Sequence, residues 1–207
     1  MGNYRDYGYA TSGFRHAHSY LVSPVEEMLD NKKNRKILDV GCGNGAIANF
    51  LIDRGFDVFG TDASESGIRI ANEMNEGRFF IQDLESDEVP FQIQSLNFDT
   101  IISTEVVEHL YAPRKYISFC KNVLLKNGGG EIIISTPYHG YWKNLIMAVF
   151  GKWDKHLTVL WDGGHIKFWS KETLSKLLEE QGFEVVAFKG VGRIPFVWKS
   201  MIIKARL

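Results

Sequence analysis

Three titratable side chains lie within five residues in the stretch "EVVEH", which follows the apolar run "FDTIIST". If a helix begins at about Thr104, the i, i+3, i+4 spacing places Glu105, Glu108 and His109 on one helix face. Two carboxylates and an imidazole with open coordination positions suit Mg²⁺ or Mn²⁺ better than structural zinc. Two other interpretations stay open. Acids in a first helical turn stabilise the helix and can hold a neighbouring loop, and a histidine with an ordinary pKa of about 6.5 can act as a metal-free general base.

A second group of candidate residues follows the buried strand pattern "RKILDV". Gly41, Gly43 and Gly45 in "DVGCGNGA" stand where this strand turns into a helix, and glycines there let the backbone approach a ligand closely. Asp62 ends the next predicted strand about 20 residues on, where an acid can bind ribose hydroxyls. Asp83 ends the strand after that. Three consecutive strands therefore deliver ligand-binding groups to one edge of the predicted sheet.

Alternating strand and helix patterns position both groups. Five apolar strand patterns, ending with "EIIISTP", alternate with amphipathic helix patterns, which predicts right-handed βαβ units. "FEVVAFKGVG" and "FVWKSMIIKARL" then follow as two strands with a short connection, so they should pair antiparallel. We predict a single α/β domain over residues 1–207. It should be a three-layer sandwich around a mostly parallel seven-stranded sheet with an antiparallel last strand.

Composition limits the classes of partner. The 207 residues carry a net charge of -1 and a pI of about 6.6, so a nucleic acid partner is not expected. Cys42 and Cys120 have no partner at metal-ligand spacing and are expected to be reduced thiols. The sequence shows no signal-peptide core and no apolar run of about 18 residues. We expect a cytoplasmic protein, with peripheral membrane contact left open.

The glycine loop, the strand-end acids and the closing strand pair together resemble class I S-adenosylmethionine-dependent methyltransferases over nearly the whole chain. "ILDVGCGNG" resembles their first motif, "GTDAS" their second-strand acid and "QDLE" their adenine-side motif. The resemblance implies a Rossmann-like sheet. Gly41, Gly43 and Ala46 also fit the dinucleotide pattern G-x-G-x-x-A, so an NAD-dependent oxidoreductase is one alternative. A cofactor-binding scaffold protein without turnover is another.

The resemblance also implies S-adenosyl-L-methionine as cofactor and assigns its contacts. The glycine loop would pass near the methionine part, and Asp39 would orient the methionine amine. Asp62 would hold the ribose, while Asp83 and Leu84 would flank the adenine. The full predicted cofactor set is Asp39, Gly41, Gly43, Gly45, Asp62, Ala63, Asp83, Leu84 and Thr104.

The stretch "EVVEH" is similar to that of the ubiquinone-biosynthesis O-methyltransferases and of the small-RNA 3′-terminal 2′-O-methyltransferases. In the latter a histidine downstream of the fifth strand completes a metal site. His165 in "WDGGHIKFWS" is the best match here, and His139 in "STPYHG" competes with it. The resemblance thus implies Mg²⁺ or Mn²⁺ on Glu105, Glu108, His109 and His165. Glu105, His109 and His165 are the candidate catalytic residues.

An aromatic insertion at about 138–165 interrupts the alternation. It can form a lid helix, an apolar substrate pocket or a membrane contact through residues 138–161. In the last case Lys143, Lys152 and Lys155 would meet lipid headgroups. The ubiquinone-type resemblance favours O-methylation of a small or lipid-linked acceptor.

Two flanking segments complete the expected site. "YGYATSGFRHAHSYL" is expected to fold over the cofactor, with Tyr4, Tyr7 and Tyr20 closing the pocket. Arg193 and Trp198 in "GVGRIPFVWKS" are candidates to line the substrate side. The remaining histidines, expected at the surface without a role, are His16, His18 and His156.

Overall fold

The computed structural model of the protein describes residues 6, 8–14, 18–30, 32–84, 88–161 and 164–207. Tyr4, Tyr7 and His16, to which predictions were attached above, lie outside these residues. All other predicted site residues lie within them.

The described residues form a seven-stranded sheet in the order β3-β2-β1-β4-β5-β7-β6. The strands are β1 (Lys36–Val40), β2 (Asp57–Asp62), β3 (Phe79–Ile81), β4 (Thr100–Thr104), β5 (Glu131–Pro137), β6 (Glu184–Val191) and β7 (Ser200–Arg206). Strands β1 to β5 pair in parallel, whereas β7 runs antiparallel to both β5 and β6. The predicted sheet with its antiparallel last strand is confirmed.

Helices cover both faces of the sheet. They are α1 (His18–Glu27), α2 (Ala46–Ile52), α3 (Glu65–Met74), α4 (Pro113–Leu125), α5 (Tyr141–Val149), α6 (Trp153–Leu157) and α7 (Lys171–Glu180). Alternate residues of β5 enter different cores: Ile132 and Ile134 pack with α4 and α7, while Ile133 packs with α1, α2 and α3. Because successive side chains of a strand point to opposite faces, a sheet buried on both sides reads as a continuous apolar run. The predicted three-layer sandwich is therefore present.

Side-chain caps fix the starts of two helices near the sheet edge. The Ser64 hydroxyl accepts from the Gly67 N–H and begins α3 directly after β2. Ser170 and Thr173 form a reciprocal capping box at the start of α7. Such caps satisfy backbone donors that a helix end leaves unpaired, typically worth about 1 kcal/mol. They set where each loop at the sheet edge ends.

The closing hairpin differs from the prediction in its bounds. The sequence pattern predicts a strand from Phe196, but β7 begins at Ser200. Phe196 has a φ of 65°, a left-handed conformation that cannot continue a strand. The preceding residues instead form a loop that carries Arg193 over the sheet edge.

Candidate active site

The glycine loop between β1 and α2 has the conformation that its residue types suggest. Gly41, Gly43 and Gly45 all have positive φ values, of 82°, 55° and 70°. A Cβ on Gly41 would lie 2.3 Å from a methyl group of Val106, so only glycine fits there. The Gly43 N–H donates to Asp62 Oδ2 at 2.8 Å, which ties the loop to the end of β2.

A buried carboxyl group, Asp39, and a half-buried one, Asp62, lie behind this loop. Burial and the nearby charge of Asp62 raise the pKa of Asp39 to about 8. Asp39 Oδ1 is buried without a hydrogen-bond partner among the described residues. Burial also raises the pKa of Asp62, although its two oxygens accept from the Gly43 and Ser64 N–H groups. An unpaired buried carboxyl oxygen is costly, so this position favours a donor or a cation supplied by a ligand.

The N-terminal segment lies over the glycine loop, but through a residue that the sequence analysis did not single out. A Cβ on Gly43 would lie 2.5 Å from the Tyr9 hydroxyl, and one on Gly67 would lie 3.1 Å from the Tyr9 ring. The Asn44 amide holds the segment by donating to the carbonyls of Thr11 and Gly13 at 2.8 and 3.1 Å. Tyr9 therefore covers the loop among the described residues.

The other predicted cofactor residues lie along the same edge. Ala63 follows β2, and Thr104 ends β4 next to Ser135 of β5. Leu84 lines a cavity of about 260 Å³ together with residues 110–112, 115 and 116 at the start of α4. Asp83 is exposed just before Leu84. This smaller cavity beside Leu84 is where the sequence analysis expects the adenine ring.

The predicted helix from Thr104 is wrong. The Glu105 N–H continues the β4 ladder by donating to the Ser135 carbonyl, and the φ of Glu105 is 56°. A short 3₁₀ turn begins only at Val107 and ends at His109. Glu105 therefore does not share a helix face with Glu108 and His109.

Glu105 is held by two serines of neighbouring strands. The Ser135 hydroxyl donates to Oε1 at 2.9 Å and the Ser200 hydroxyl to Oε2 at 3.1 Å. Burial nevertheless raises the pKa of Glu105 to about 7, and the Lys143 charge opposes this shift. A non-glycine residue at positive φ is uncommon and is often found at functional sites.

Glu108, His109 and His165, called here the Glu–His group, come together at the end of β4. One nitrogen or oxygen atom from each lies within 4.8 Å of the others. Glu108 Oε2 accepts from the Thr136 hydroxyl, whereas Oε1 is buried without a partner among the described residues, as is His165 Nδ1. His109 Nδ1 lies 3.2 Å from the Gly164 carbonyl and must donate to it. Its other nitrogen, Nε2, lies 3.8 Å from Glu108 Oε1.

These observations show that the Glu–His group fits a divalent cation. Glu108 Oε1 and His165 Nδ1 are buried polar atoms without hydrogen-bond partners among the described residues, which is unfavourable unless a cation or a donor lies beside them. Hydrogen bonding of the outer imidazole nitrogen to a carbonyl is the usual way in which proteins orient a metal-binding histidine. Backbone bonds from Ile166 and Lys167 to the Glu108 carbonyl fix the segment that carries His165.

His139 and His156 form a separate pair beside this group. His139 Nδ1 lies 3.2 Å from Asn144 Oδ1, and its Nε2 lies 3.2 Å from His156 Nε2. Burial lowers the pKa of both imidazoles to about 4. The geometry thus favours His165 over His139 beside Glu108 and His109. The expectation that His156 lies at the surface is wrong, because α6 turns it inward; no pattern in the sequence indicated this.

The insertion closes a cavity of about 620 Å³ at the ends of β5 and β7, the main cavity. Tyr20, Glu105 and His165 line its wall. Arg193 also lines it, as the sequence analysis suggested, while Trp198 packs against Tyr138 and Phe188. The other basic lining residues are Lys143, Lys152, Lys155 and Lys199, and the apolar ones include Ile146, Met147, Phe150 and Val197.

Lys143 does not face the solvent. Its side chain is buried, and its ammonium group donates to the Lys199 carbonyl at 2.9 Å. The expectation that Lys143 meets lipid headgroups is therefore wrong, because α5 packs this side onto β7. The opposite side of α5 is exposed and apolar, with Trp142 at 56% and Val149 at 69% exposure. None of the helices in the described ranges is both long and apolar enough to cross a bilayer.

Comparison with known proteins agrees with this arrangement. Residues 14–187 match the family model described as a methyltransferase domain, which covers most of the chain. The chain belongs to this methyltransferase family. The family assignment confirms the recognition made from the sequence and leaves the NAD-dependent alternative without support.

Curated relatives and a solved structure extend the comparison. The chain is 34% identical over 169 residues to a ubiquinone biosynthesis O-methyltransferase of Dinoroseobacter shibae, covering 77% of this chain and 64% of the relative. The same protein of Roseobacter denitrificans is 30% identical over 172 residues, covering 80% and 66%. The chain thus spans just under two thirds of the length of these relatives. Magnesium protoporphyrin IX methyltransferase from Synechocystis PCC 6803, solved with bound S-adenosylhomocysteine, shares the fold at a TM-score of 0.64 and 20% identity, covering 89% of this chain and 80% of that one.

Proposed function

We propose that this chain transfers a methyl group from S-adenosylmethionine to an oxygen of a small or lipid-linked acceptor. The observation that carries the cofactor assignment is the pair of acids, Asp39 and Asp62, behind the glycine loop. Asp39 presents an oxygen without a partner, and Asp62 lies beside it at the end of β2. The ammonium of the methionine part would supply the missing positive charge, and the ribose hydroxyls would donate to Asp62.

The chemistry asks little beyond alignment and proton removal. The sulfonium of the cofactor is already a strong electrophile, so the protein must hold the acceptor oxygen in line with the methyl group and take its proton. His165 and Glu105 line the main cavity where a neighbouring acceptor would lie. Burial lowers the pKa of His165 to about 4, so in the absence of a bound metal ion its imidazole is neutral near pH 7 and can accept a proton.

Binding of S-adenosylhomocysteine tests the cofactor assignment. Calorimetry should show saturable binding, and Asp62→Ala should weaken it by about tenfold or more because a hydrogen bond to a charged group is lost. Asp53→Ala, at the exposed end of α2, is the matched control and should bind like the wild type. Equal behaviour of both variants would contradict the assignment.

We further propose that Mg²⁺ or Mn²⁺ binds to the Glu–His group. Support comes from the two unpaired buried atoms, Glu108 Oε1 and His165 Nδ1, and from the orientation of His109. A divalent cation there would lower the pKa of an acceptor hydroxyl. Glu105, held by its two serines, would line the cavity next to the cation.

Electron paramagnetic resonance of Mn²⁺ tests this metal proposal. Glu108→Gln should weaken Mn²⁺ binding by about 100-fold, since a ligand should matter at least as much as its outer partners do. Glu172→Gln, on the exposed first turn of α7, should have no effect. Unchanged binding in Glu108→Gln would place the cation elsewhere.

The exposed side of α5 supports a proposal of peripheral membrane contact. Tyr141, Trp142 and Val149 are all more than half exposed. Exposed aromatic and aliphatic side chains on one helix are typical of interfacial contact. Trp142→Ser with Val149→Ser should reduce co-sedimentation with vesicles, whereas Phe91→Ser, exposed on the connection before β4, should not.

A further inference from the structure

The main cavity differs in charge from the chain as a whole. The chain holds 24 Lys and Arg residues against 25 Asp and Glu residues. Among the described residues that line the cavity, Glu105 is the single carboxylate. The cations around it are Lys143, Lys152, Lys155, Arg193 and Lys199.

Lys143 shows that the excess of positive charge around the main cavity extends into the protein interior. Its side chain is only 4% exposed, and a buried ammonium is unfavourable unless it is paired. The ammonium has a carbonyl partner in Lys199 and feels the charge of Glu105 from a distance. Burial lowers the pKa of Lys143 to about 8, so it is still largely charged at pH 7.

Arg193 faces the same space from the other side. Arg193 lines the main cavity together with Tyr20, Lys143 and His156. Its backbone lies on the exposed loop between β6 and β7, and no ion pair of Arg193 is present among the described residues. A guanidinium offers forked donors that match phosphate oxygens.

Glu105 does not neutralise these cations. Both of its oxygens already accept from Ser135 and Ser200. Even a fully ionised Glu105 contributes one negative charge to a wall with five positive side chains. A low-dielectric cavity with such a wall attracts an anion.

We propose that the main cavity binds the methyl acceptor through a phosphate group, with Arg193 and Lys143 as its principal partners. This inference rests on the proposed function and adds the acceptor class to it. The apolar lining at Ile146, Met147 and Phe150 faces the remainder of the acceptor. The acceptor is therefore a phosphate-bearing molecule whose other part is apolar.

Pyrophosphate binding tests the inference in the absence of the natural acceptor. Chelator-treated protein is first titrated with S-adenosylhomocysteine and then with inorganic pyrophosphate in the same calorimeter cell. We expect saturable pyrophosphate binding that Arg193→Gln weakens by about tenfold or more, because a charge-assisted hydrogen bond is lost. Lys143→Met should weaken it as well. Arg193 is exposed, so its variant should fold even if the Lys143 variant does not.

Arg114→Gln is the matched control, because Arg114 lies on α4 and pairs with Glu180. Absence of saturable binding, or an equal effect of the two Arg variants, would overturn the inference. The first titration keeps the two proposals apart: failure to bind S-adenosylhomocysteine would count against the methyltransferase function, whereas failure with pyrophosphate alone counts against the anion site.

Two further ligands test the apolar part of the acceptor. Glycerol 3-phosphate and hexanoyl lysophosphatidic acid carry the same phosphoglycerol group, and the second adds a short acyl chain. Tighter binding of the lysophosphatidic acid would support an acceptor with an apolar part, and equal binding would contradict the role given to the apolar lining. Binding of neither would overturn the inference.

Discussion

The carboxyl edge of the sheet has two halves that differ in charge and in construction. The half that we propose holds the cofactor, called the cofactor half, lies at the ends of β1, β2 and β3 and contains Asp39, Asp62 and glycines with positive φ. The half that we propose holds the acceptor, called the acceptor half, lies at the ends of β4, β5 and β7 and contains the Glu–His group and the five cations of the main cavity. Among the described residues, the first half presents an unpaired carboxyl oxygen of Asp39, whereas in the main cavity of the second half five cations face one carboxylate. A cationic cofactor and an anionic acceptor would complete them separately.

The two halves meet at Gly41 and Val106, which makes this contact the most sensitive point of the edge. Gly41→Ala places a Cβ 2.3 Å from a stiff, buried Val106 side chain and also imposes a left-handed alanine. Gly55→Ala imposes the same left-handed backbone strain at φ 88°, but the added Cβ has no atom within contact distance. We expect the free energy of unfolding to fall by about 1 to 3 kcal/mol more in Gly41→Ala than in Gly55→Ala.

Urea unfolding of both variants measures this difference. Adding Val106→Ala to Gly41→Ala should recover part of the loss, since the clash is removed. Equal losses in Gly41→Ala and Gly55→Ala would mean that the two halves do not depend on this contact.

Asp39 should make the ligand-free cofactor half sensitive to pH. Its pKa is raised from 3.8 to about 8, so its contribution to stability is present at low pH and is lost as the pH rises toward 8. Asp39→Asn removes this loss. The stability of the variant relative to the wild type should therefore increase by up to about 1.4 kcal/mol for each pH unit between about pH 4 and pH 8.

Unfolding curves without ligand at several pH values check this expectation. Glu184 forms an exposed ion pair with Arg206, and Glu184→Gln serves as the control. Its free energy of unfolding should change with pH in the same way as that of the wild type. A constant difference between Asp39→Asn and the wild type across this range would show that Asp39 is not held in a raised-pKa environment.

Tyr9 should have a smaller effect, confined to the cofactor half. Its ring covers Gly43 and Gly67. Tyr9→Ala should therefore weaken the binding of S-adenosylhomocysteine by about tenfold, or about 1.4 kcal/mol, and leave the binding of pyrophosphate unchanged. Tyr141→Ala, on the exposed side of α5, should affect neither ligand. A loss of pyrophosphate binding in Tyr9→Ala would contradict the separation of the two halves.

The cofactor half was predictable because its information is local. Residues 39 to 62 contain the glycine loop, Asp39 and Asp62, and glycine and strand patterns report backbone conformation directly. No sequence pattern indicated Tyr9, because its position depends on how a loop folds back onto Gly43.

The acceptor half was predicted only in part because it is assembled from distant segments. Lys143 is buried by the packing of α5, and His156 is turned inward by the short helix α6. A helix was expected from Thr104, but Glu105 instead continues the β4 ladder at positive φ. Helical spacing could not reveal these tertiary constraints.

Sequential calorimetry on chelator-stripped protein tests the division of the edge most directly. S-adenosylhomocysteine is titrated first, and Mn²⁺ is then titrated into the saturated protein. The account predicts one equivalent of each, with Mn²⁺ binding as tightly as it does without the first ligand. Absence of S-adenosylhomocysteine binding, or displacement of one ligand by the other, would contradict it.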